Sequence, residues 1–340
     1  MFKESSKRPP YDAWLQWVVP DICNLACSYC PLGDPNHLAS VKAGPGSAAK
    51  AGARRIAALL RNSVRFGVSD ALVLYERQSL RQPNKMPPID IPGLLNALDE
   101  TGKTFLVTFT GGGEPFLLPN IVEASLALAE KHYVSYNTNL TSPRVRQLAE
   151  RLDPSRILIH ASFHIRELER KKLVRRFIET FKFCQERGIG IYAQEVAHPS
   201  LLGDVEYYRE LLRAEGIVLT FGPFKGEYLG RSYPSSYTDE EREAFILGKK
   251  SASGAQFNQR GSLCNAGYNV AVAGPDGLVN PCYDIRENLG NMFGSIRLRP
   301  DVRRCPVDVC SCPLNFYDRG LFELALSEQE QSAVLGSRPA

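Results

Sequence analysis

The sequence has no apolar run near the roughly 18 residues that a membrane-crossing helix requires. Its first ten residues, MFKESSKRPP, are polar and lack the apolar core of a secretion signal. Both absences lead to the expectation of a cytoplasmic protein, where thiols stay reduced and nine cysteines read as metal ligands rather than disulfides. No RNA-binding module is recognisable, which argues against a nucleic-acid partner despite the net charge of +4. Hydrophobic residues make up 44% and charged residues 23%, ordinary values for a globular chain. Its 340 residues suffice for a sizeable core and for two domains.

What is present begins with three cysteines in eight residues, Cys23-Asn24-Leu25-Ala26-Cys27-Ser28-Tyr29-Cys30. Thiolates at such spacing hold iron–sulfur clusters, and a cubane cluster has four irons. Three ligands leave one iron open to something other than protein. A closed zinc site wants four ligands, and the nearest additional candidate, His37, is not close enough to complete one locally. A second signal lies 80 residues on. The apolar run Lys103–Thr110 reads as a strand that ends in Gly111-Gly112-Gly113-Glu114-Pro115. Glycines after a strand permit a tight turn and close backbone approach to a ligand, and a glutamate there offers an acceptor for an amine.

The C-x3-C-x2-C spacing, with Tyr29 just before the last cysteine, resembles the radical S-adenosylmethionine (radical SAM) superfamily. Gly111–Pro115 resembles the GGEP motif of the same family. The resemblance implies a 4Fe–4S cluster on Cys23, Cys27 and Cys30, with SAM chelated at its open iron. Reductive cleavage of SAM would give a 5′-deoxyadenosyl radical that abstracts hydrogen from substrate. Tyr29 would lie by the adenine, and Gly111, Gly112, Gly113, Glu114 and Pro115 would hold the methionine amine. The gap between the motifs is longer than is usual in the family. The excess, at about 34–90, contains the basic stretch 42–85, with nine Lys/Arg against Asp70 and Glu76, or +7. It reads as an inserted helix, Ala48 to about Val64, with a loop.

Apolar runs at 14–19, 104–109, 133–137, 156–162, 189–196 and 217–221 alternate with helical patterns at 120–131, 143–152, 167–187 and 204–214, the last capped by Asp204. Such alternation predicts an α/β fold with a parallel sheet. Six β/α units resemble the partial (β/α)6 barrel of the family. In that family polar groups at later strand ends hold SAM or substrate. Asn139 and Ser162 are placed as SAM contacts, and Glu195 and His164 as the catalytic candidates. Glu195, with Gln194, is expected to face the cavity.

Cysteines return at Cys264, Cys282, Cys305, Cys310 and Cys312. Between the first two, Pro275-Asp276-Gly277 marks a hairpin. The pattern C-x12-G-x4-C resembles the SPASM/twitch extension, which implies one auxiliary 4Fe–4S cluster. Four thiolates would also suit zinc. The organisation read here is a barrel at 1–230, a linker with a short helix at 231–260, the cysteine-rich extension at 261–325 and a tail at 326–340.

Only 22 residues precede Cys23, too few for a leader-peptide-binding domain. The expected substrate is therefore a small molecule, such as a sugar, aminocyclitol or nucleoside-linked compound, and an anionic one would suit the basic insertion. A peptide substrate is the alternative, with RNA third. The family resemblance also implies an external one-electron reductant such as flavodoxin or ferredoxin.

Overall fold

The computed structural model describes residues 9–20, 22–27, 29–30, 88–248, 260–308 and 319–336. The expected helix at 48–64, the insertion up to residue 87, and Cys310 and Cys312 lie outside them.

Six parallel strands form the frame in chain order: β1 (Ala13–Val18), β2 (Phe105–Thr110), β3 (Tyr133–Thr138), β4 (Ile157–Ser162), β5 (Gly190–Ala197) and β6 (Leu219–Pro223). Helices α1 (Ile91–Asp99), α2 (Ile121–Ala129), α3 (Arg144–Arg151), α4 (Ile165–Arg170), α5 (Val174–Glu186) and α6 (Val205–Arg213) make the crossovers. The observed α/β architecture agrees with a partial radical SAM barrel. Each strand lies within two residues of its expected place.

Four features differ from expectation. Helix α1 occupies a stretch to which the sequence reading assigned no element; Asp90 caps it by accepting from the Gly93 amide at 3.1 Å. The single helix expected at 167–187 is two, because Lys172 adopts φ +58 and the Leu173 amide closes back on Leu168 O at 2.7 Å. Asp204 makes no side-chain cap to α6. The fourth concerns the C-terminal hairpin. Its strands β10 (Val270–Ala273) and β11 (Val279–Asn280) extend the main sheet, with β10 parallel to β1. Trp17 Nε1 fixes the junction by donating to Gly274 O at 3.1 Å.

Register sorts the side chains into two faces. Leu15, Val107 and Val134 lie in one row and Trp17, Phe109 and Tyr136 in the next, and these residues belong to the core built with α1, α2, α3, α5 and α6. Phe109 stacks on Tyr136 with centroids 5.0 Å apart. Burying one such ring contributes about 1.5–3 kcal/mol, so this face anchors the fold. The other face is concave and mixed. Its lowest row is apolar, with Trp14, Leu106, Tyr133 and Val270 in register. Leu321 and Leu324 of α8 (Arg319–Gly336) pack in the same cluster. Asn269 pins α8 by donating to Leu321 O at 2.9 Å. Above that row the face turns polar.

Two small ladders and one further helix complete the described chain: β7 (Gly226–Tyr228) with β8 (Arg231–Tyr233), β9 (Leu263–Cys264) with β12 (Arg303–Arg304), and α7 (Asp239–Phe245). Among the described residues, no helix is long and apolar enough to cross a membrane.

Candidate active site

The cysteine loop leaves the C-terminal end of β1 with no regular structure of its own. Its position comes from four neighbouring strand ends. At the end of β2, the Glu114 amide donates to Ile22 O at 2.9 Å. Gly113 packs so closely there that a Cβ would lie 2.2 Å from Ile22 O and 2.5 Å from Pro20 O. Only glycine permits that approach. Thus Gly113 ties the glycine motif physically to the segment that delivers Cys23.

The end of β3 holds Asn24. Its Nδ2 donates to Thr141 Oγ1 at 2.7 Å, and Asn139 Nδ2 donates to its Oδ1 at 2.9 Å. After β4, Glu167 Oε2 accepts from the Ala26 amide at 2.9 Å, and Lys171 Nζ donates to Asn24 O. Arg170 grips the same carboxylate through two 2.7 Å bonds. Burial raises the Glu167 pKa, but Arg170, the Ala26 amide and Lys171 outweigh it and hold the group below its ordinary value.

The end of β5 holds Tyr29. Its hydroxyl donates to Glu195 Oε1 at 2.8 Å and lies 3.2 Å from His164 Nδ1. The Tyr29 ring also stacks against His198, with centroids 5.6 Å apart. His198 is packed edge-on to Phe224 and Tyr228, and burial pushes its pKa down to about 4.

Two carboxylates expected to face ligand are engaged by the chain instead. Glu114 accepts from Thr138 Oγ1 at 2.7 Å, the Asn139 amide at 2.8 Å and the Phe116 amide at 3.1 Å. Burial still pushes its pKa up to about 6. Glu195 accepts from the Ile165 amide at 2.8 Å and the Val196 amide at 2.6 Å besides Tyr29, and burial pushes it up to about 7. In register it shares the helix-packed face with Phe221, whereas exposed Gln194, beside Ser162, is on the concave face.

The structure thus brings together Cys23, Cys27, Cys30, Tyr29, Gly113, Glu114, Asn139, His164 and Glu195. Ser162 ends β4 on the concave face, and Gly111, Gly112 and Pro115 bracket the turn after β2. Sequence reasoning missed Asn24, Thr141, Glu167, Arg170 and Lys171. Asn24, lying inside the cysteine motif, was the one with a local signal.

Among the described residues, no three His, Cys, Asp or Glu side chains are placed to hold a metal ion. The chemistry of the cysteine loop nevertheless suits an iron–sulfur group. Cys27 is buried, Cys23 and Cys30 are half-buried, and the Leu25 amide points at Cys23 Sγ at 3.4 Å. The Cys27 thiol is held well above its ordinary pKa, first by burial, then by Glu167, Cys23, Cys30 and Glu195. Thiols so crowded with negative neighbours become thiolates only against added positive charge, which cluster irons supply.

The second cysteine group lies at the other end of the sheet. Cys282 is buried in the α8 cluster, and Cys264 packs against it. Cys264 pairs with Arg303 across the β9–β12 ladder, and the Cys305 amide donates to Ser262 O at 2.8 Å. Cys264 and Cys305 therefore share one face of that ladder. The length of β1, about 17 Å from Trp14 to Val19, separates the two groups' levels.

Among solved structures, the chain is similar to native anSMEcpe with bound AdoMet, at 17% identity and TM-score 0.50, covering 94% of this chain and 99% of that one. It also matches Streptococcus suis SuiB bound to S-adenosylmethionine at 14% identity and TM-score 0.43, over 83% of this chain. It spans 64% of that SuiB chain. At 17% identity the likeness to anSMEcpe is one of fold. No curated protein matches the chain in sequence. The model of the radical SAM superfamily matches residues 17–213, from within β1 to the end of α6. All four clamps on the cysteine loop fall inside that span, which is more than half of the molecule, and the protein belongs to the radical SAM superfamily of enzymes.

Proposed function

We propose that the protein cleaves SAM reductively and abstracts hydrogen from a small-molecule substrate, such as a sugar, aminocyclitol or nucleoside-linked compound. The observation that carries this is the clamped cysteine loop, locked against the glycine turn through Gly113. Cys23, Cys27 and Cys30 would hold the 4Fe–4S cluster that family membership implies. When bound, that cluster would supply the one-electron reduction of SAM, with an external carrier such as flavodoxin or ferredoxin as the proposed electron source.

The chain's own groups have defined tasks. The Glu114 carboxylate is held by three donors, so reception of the SAM ammonium falls to the backbone carbonyls of Gly111–Gly113. Glu195 and His164 orient Tyr29 rather than move protons. Ser162 and Gln194 present polar groups on the concave side. Leu321 and Leu324 of α8 pack in the apolar cluster at the lower end of that face, which supports a small-molecule reading. The C-terminal region is read as a SPASM/twitch-like extension with one auxiliary 4Fe–4S cluster on Cys264, Cys282 and two of Cys305, Cys310 and Cys312. Cys264 and Cys282 share the cluster that floors the concave face, which supports this reading.

The test is anaerobic purification with iron and sulfide counts, together with 5′-deoxyadenosine release under dithionite. About eight irons per chain, falling to about four in Cys23→Ala/Cys27→Ala/Cys30→Ala with loss of cleavage, is the expected outcome. A fully loaded wild type that never cleaves SAM sinks the proposal. About four irons plus zinc sinks the auxiliary cluster alone.

A further inference from the structure

The middle of the concave face is built for hydrogen bonding yet leaves two of its acceptors unused. Gln16, Thr108 and Ser135 lie in one row across β1, β2 and β3. Trp14 Nε1 donates to Thr108 Oγ1 at 2.7 Å, and Thr108 and Ser135 hydroxyls share a 2.5 Å bond. Two residues higher, Asn137 pairs in register with His160, and His160 with Tyr192. Asn137 Nδ2 donates to Thr110 Oγ1 at 2.5 Å, and Tyr192 OH meets His160 Nδ1 at the same distance. Against this satisfied network, the half-buried Gln16 and Asn137 each keep a buried carbonyl oxygen, Oε1 and Oδ1, with no partner among the described residues.

Buried amide oxygens without donors are costly and uncommon. Here both lie on the same face, between the cysteine loop above and the apolar row under α8 below. By strand spacing their Cα atoms are roughly 12 Å apart, and the side chains point to the same concavity. A carbonyl oxygen accepts only from O–H or N–H. The row carries no formal charge either: burial pushes the His160 pKa down to about 4, so it is neutral near pH 7. Among the described residues, this network offers no charged group for a phosphate or a carboxylate.

We infer that this shelf binds a neutral or cationic ring bearing several hydroxyl or amino groups, with Gln16 and Asn137 as the acceptors that select it. The inference rests on the concave face being the substrate side, as proposed above. It assigns acceptors for the hydroxyl or amino groups of the sugar or aminocyclitol type of ring proposed above, and removes the preference for an anionic one. The wall of the sheet, rather than the basic insertion, then sets specificity.

The test uses the full chain loaded with clusters and SAM, and saturation-transfer NMR with D-glucosamine as probe and cyclohexylamine as the ring without hydroxyls. Glucosamine should bind at least tenfold more tightly than cyclohexylamine, and Gln16→Leu and Asn137→Leu should each weaken it at least tenfold. Because the Gln16 oxygen is unpaired without ligand, Gln16→Leu should also keep or raise the thermal midpoint of the substrate-free protein, by up to about 2–4 °C. Equal binding of the two probes, unchanged binding in both variants, or a lower midpoint in Gln16→Leu would overturn the inference. SAM cleavage by the wild type is scored separately. Its failure counts against the proposed function, while the binding experiment needs no turnover.

Discussion

The two cysteine-bearing regions solve the same problem in opposite ways. The loop of Cys23, Cys27 and Cys30 has no ladder of its own and is positioned by side chains from four strand ends. The C-terminal region positions Cys264 and Cys305 by backbone pairing and Cys282 by apolar packing. Side-chain clamps can place thiols at the rim of an open space without filling it with backbone. They also make the geometry depend on individual polar atoms and their protonation. The backbone solution is sturdier, and suits a site set in a packed corner.

The largest expected effects test whether the regions are independent. Gly113→Ala would drive a methyl group into the Pro20 and Ile22 carbonyls. It should reduce SAM cleavage by about 100-fold or more, since displacements of about 1 Å can cost that much, and should remove about four irons per chain. Gly290→Ala is its counterpart: Gly290 has φ +109 and a Cβ there would lie 2.1 Å from Ser295 O. It should deplete the iron of the proposed auxiliary cluster and spare that of the cluster proposed on Cys23, Cys27 and Cys30. If each variant stripped both regions alike, the comparison would break.

Next in size, Tyr29→Phe removes one of three donors to Glu195 while keeping the ring. The cost should be about 1–3 kcal/mol, read as a midpoint lower by roughly 2–8 °C. An unchanged midpoint would mean that the β5 clamp does not hold the loop.

Protonation should tilt the regions in opposite directions. Glu114 and Glu195 have raised pKa values in the fold, so their stabilisation is complete below the ordinary carboxyl value of 4.5 and is lost as pH rises through about 6 and about 7. Glu287 in the C-terminal region is held low, first by its hydrogen bonds to Arg299, so its contribution is present above 4.5 and lost on acidification. Thermal midpoints across pH should therefore show a shallower alkaline decline in Glu195→Gln and a shallower acid decline in Glu287→Gln. Parallel curves for both variants and the wild type would remove this distinction.

The smallest effect is expected at the exposed Arg260–Asp308 pair near Cys305. Asp308→Asn should leave the midpoint within about 1 °C and the iron content unchanged. A larger loss would assign to ion pairs what is assigned here to the ladder.

Much of the frame was legible because β1 to β6 are apolar, β-branched or aromatic runs cut by Gly, Pro and Asp. The cysteine spacing and Gly111–Pro115 were legible because they are local. What escaped was non-local or came from closure of the backbone. The sequence RKKLV contains no breaker, yet Lys172 turns left-handed once the Leu173 amide reaches Leu168 O. A hairpin at 275–277 announces itself, but not which edge it joins. Glu167 lies 141 residues from its partner Ala26, and Glu195 lies 166 from Tyr29. No periodicity encodes such pairs, so Glu167 went unread, and Glu195 looked available when the fold had already engaged it.

The pairing of β10 with β1 has a consequence for how the molecule is made. Strand β1 is made before the other described strands but gains its second neighbour only when residues 270–273 emerge. Until then its outer edge, flanked by Trp14 and Trp17, is an unpaired template for other chains. A nascent chain stalled before the hairpin would carry all six parallel strands and still expose that edge. Synthesis of the C-terminal region thus acts as the quality check on the N-terminal one, and premature termination there should yield aggregates rather than a smaller working enzyme.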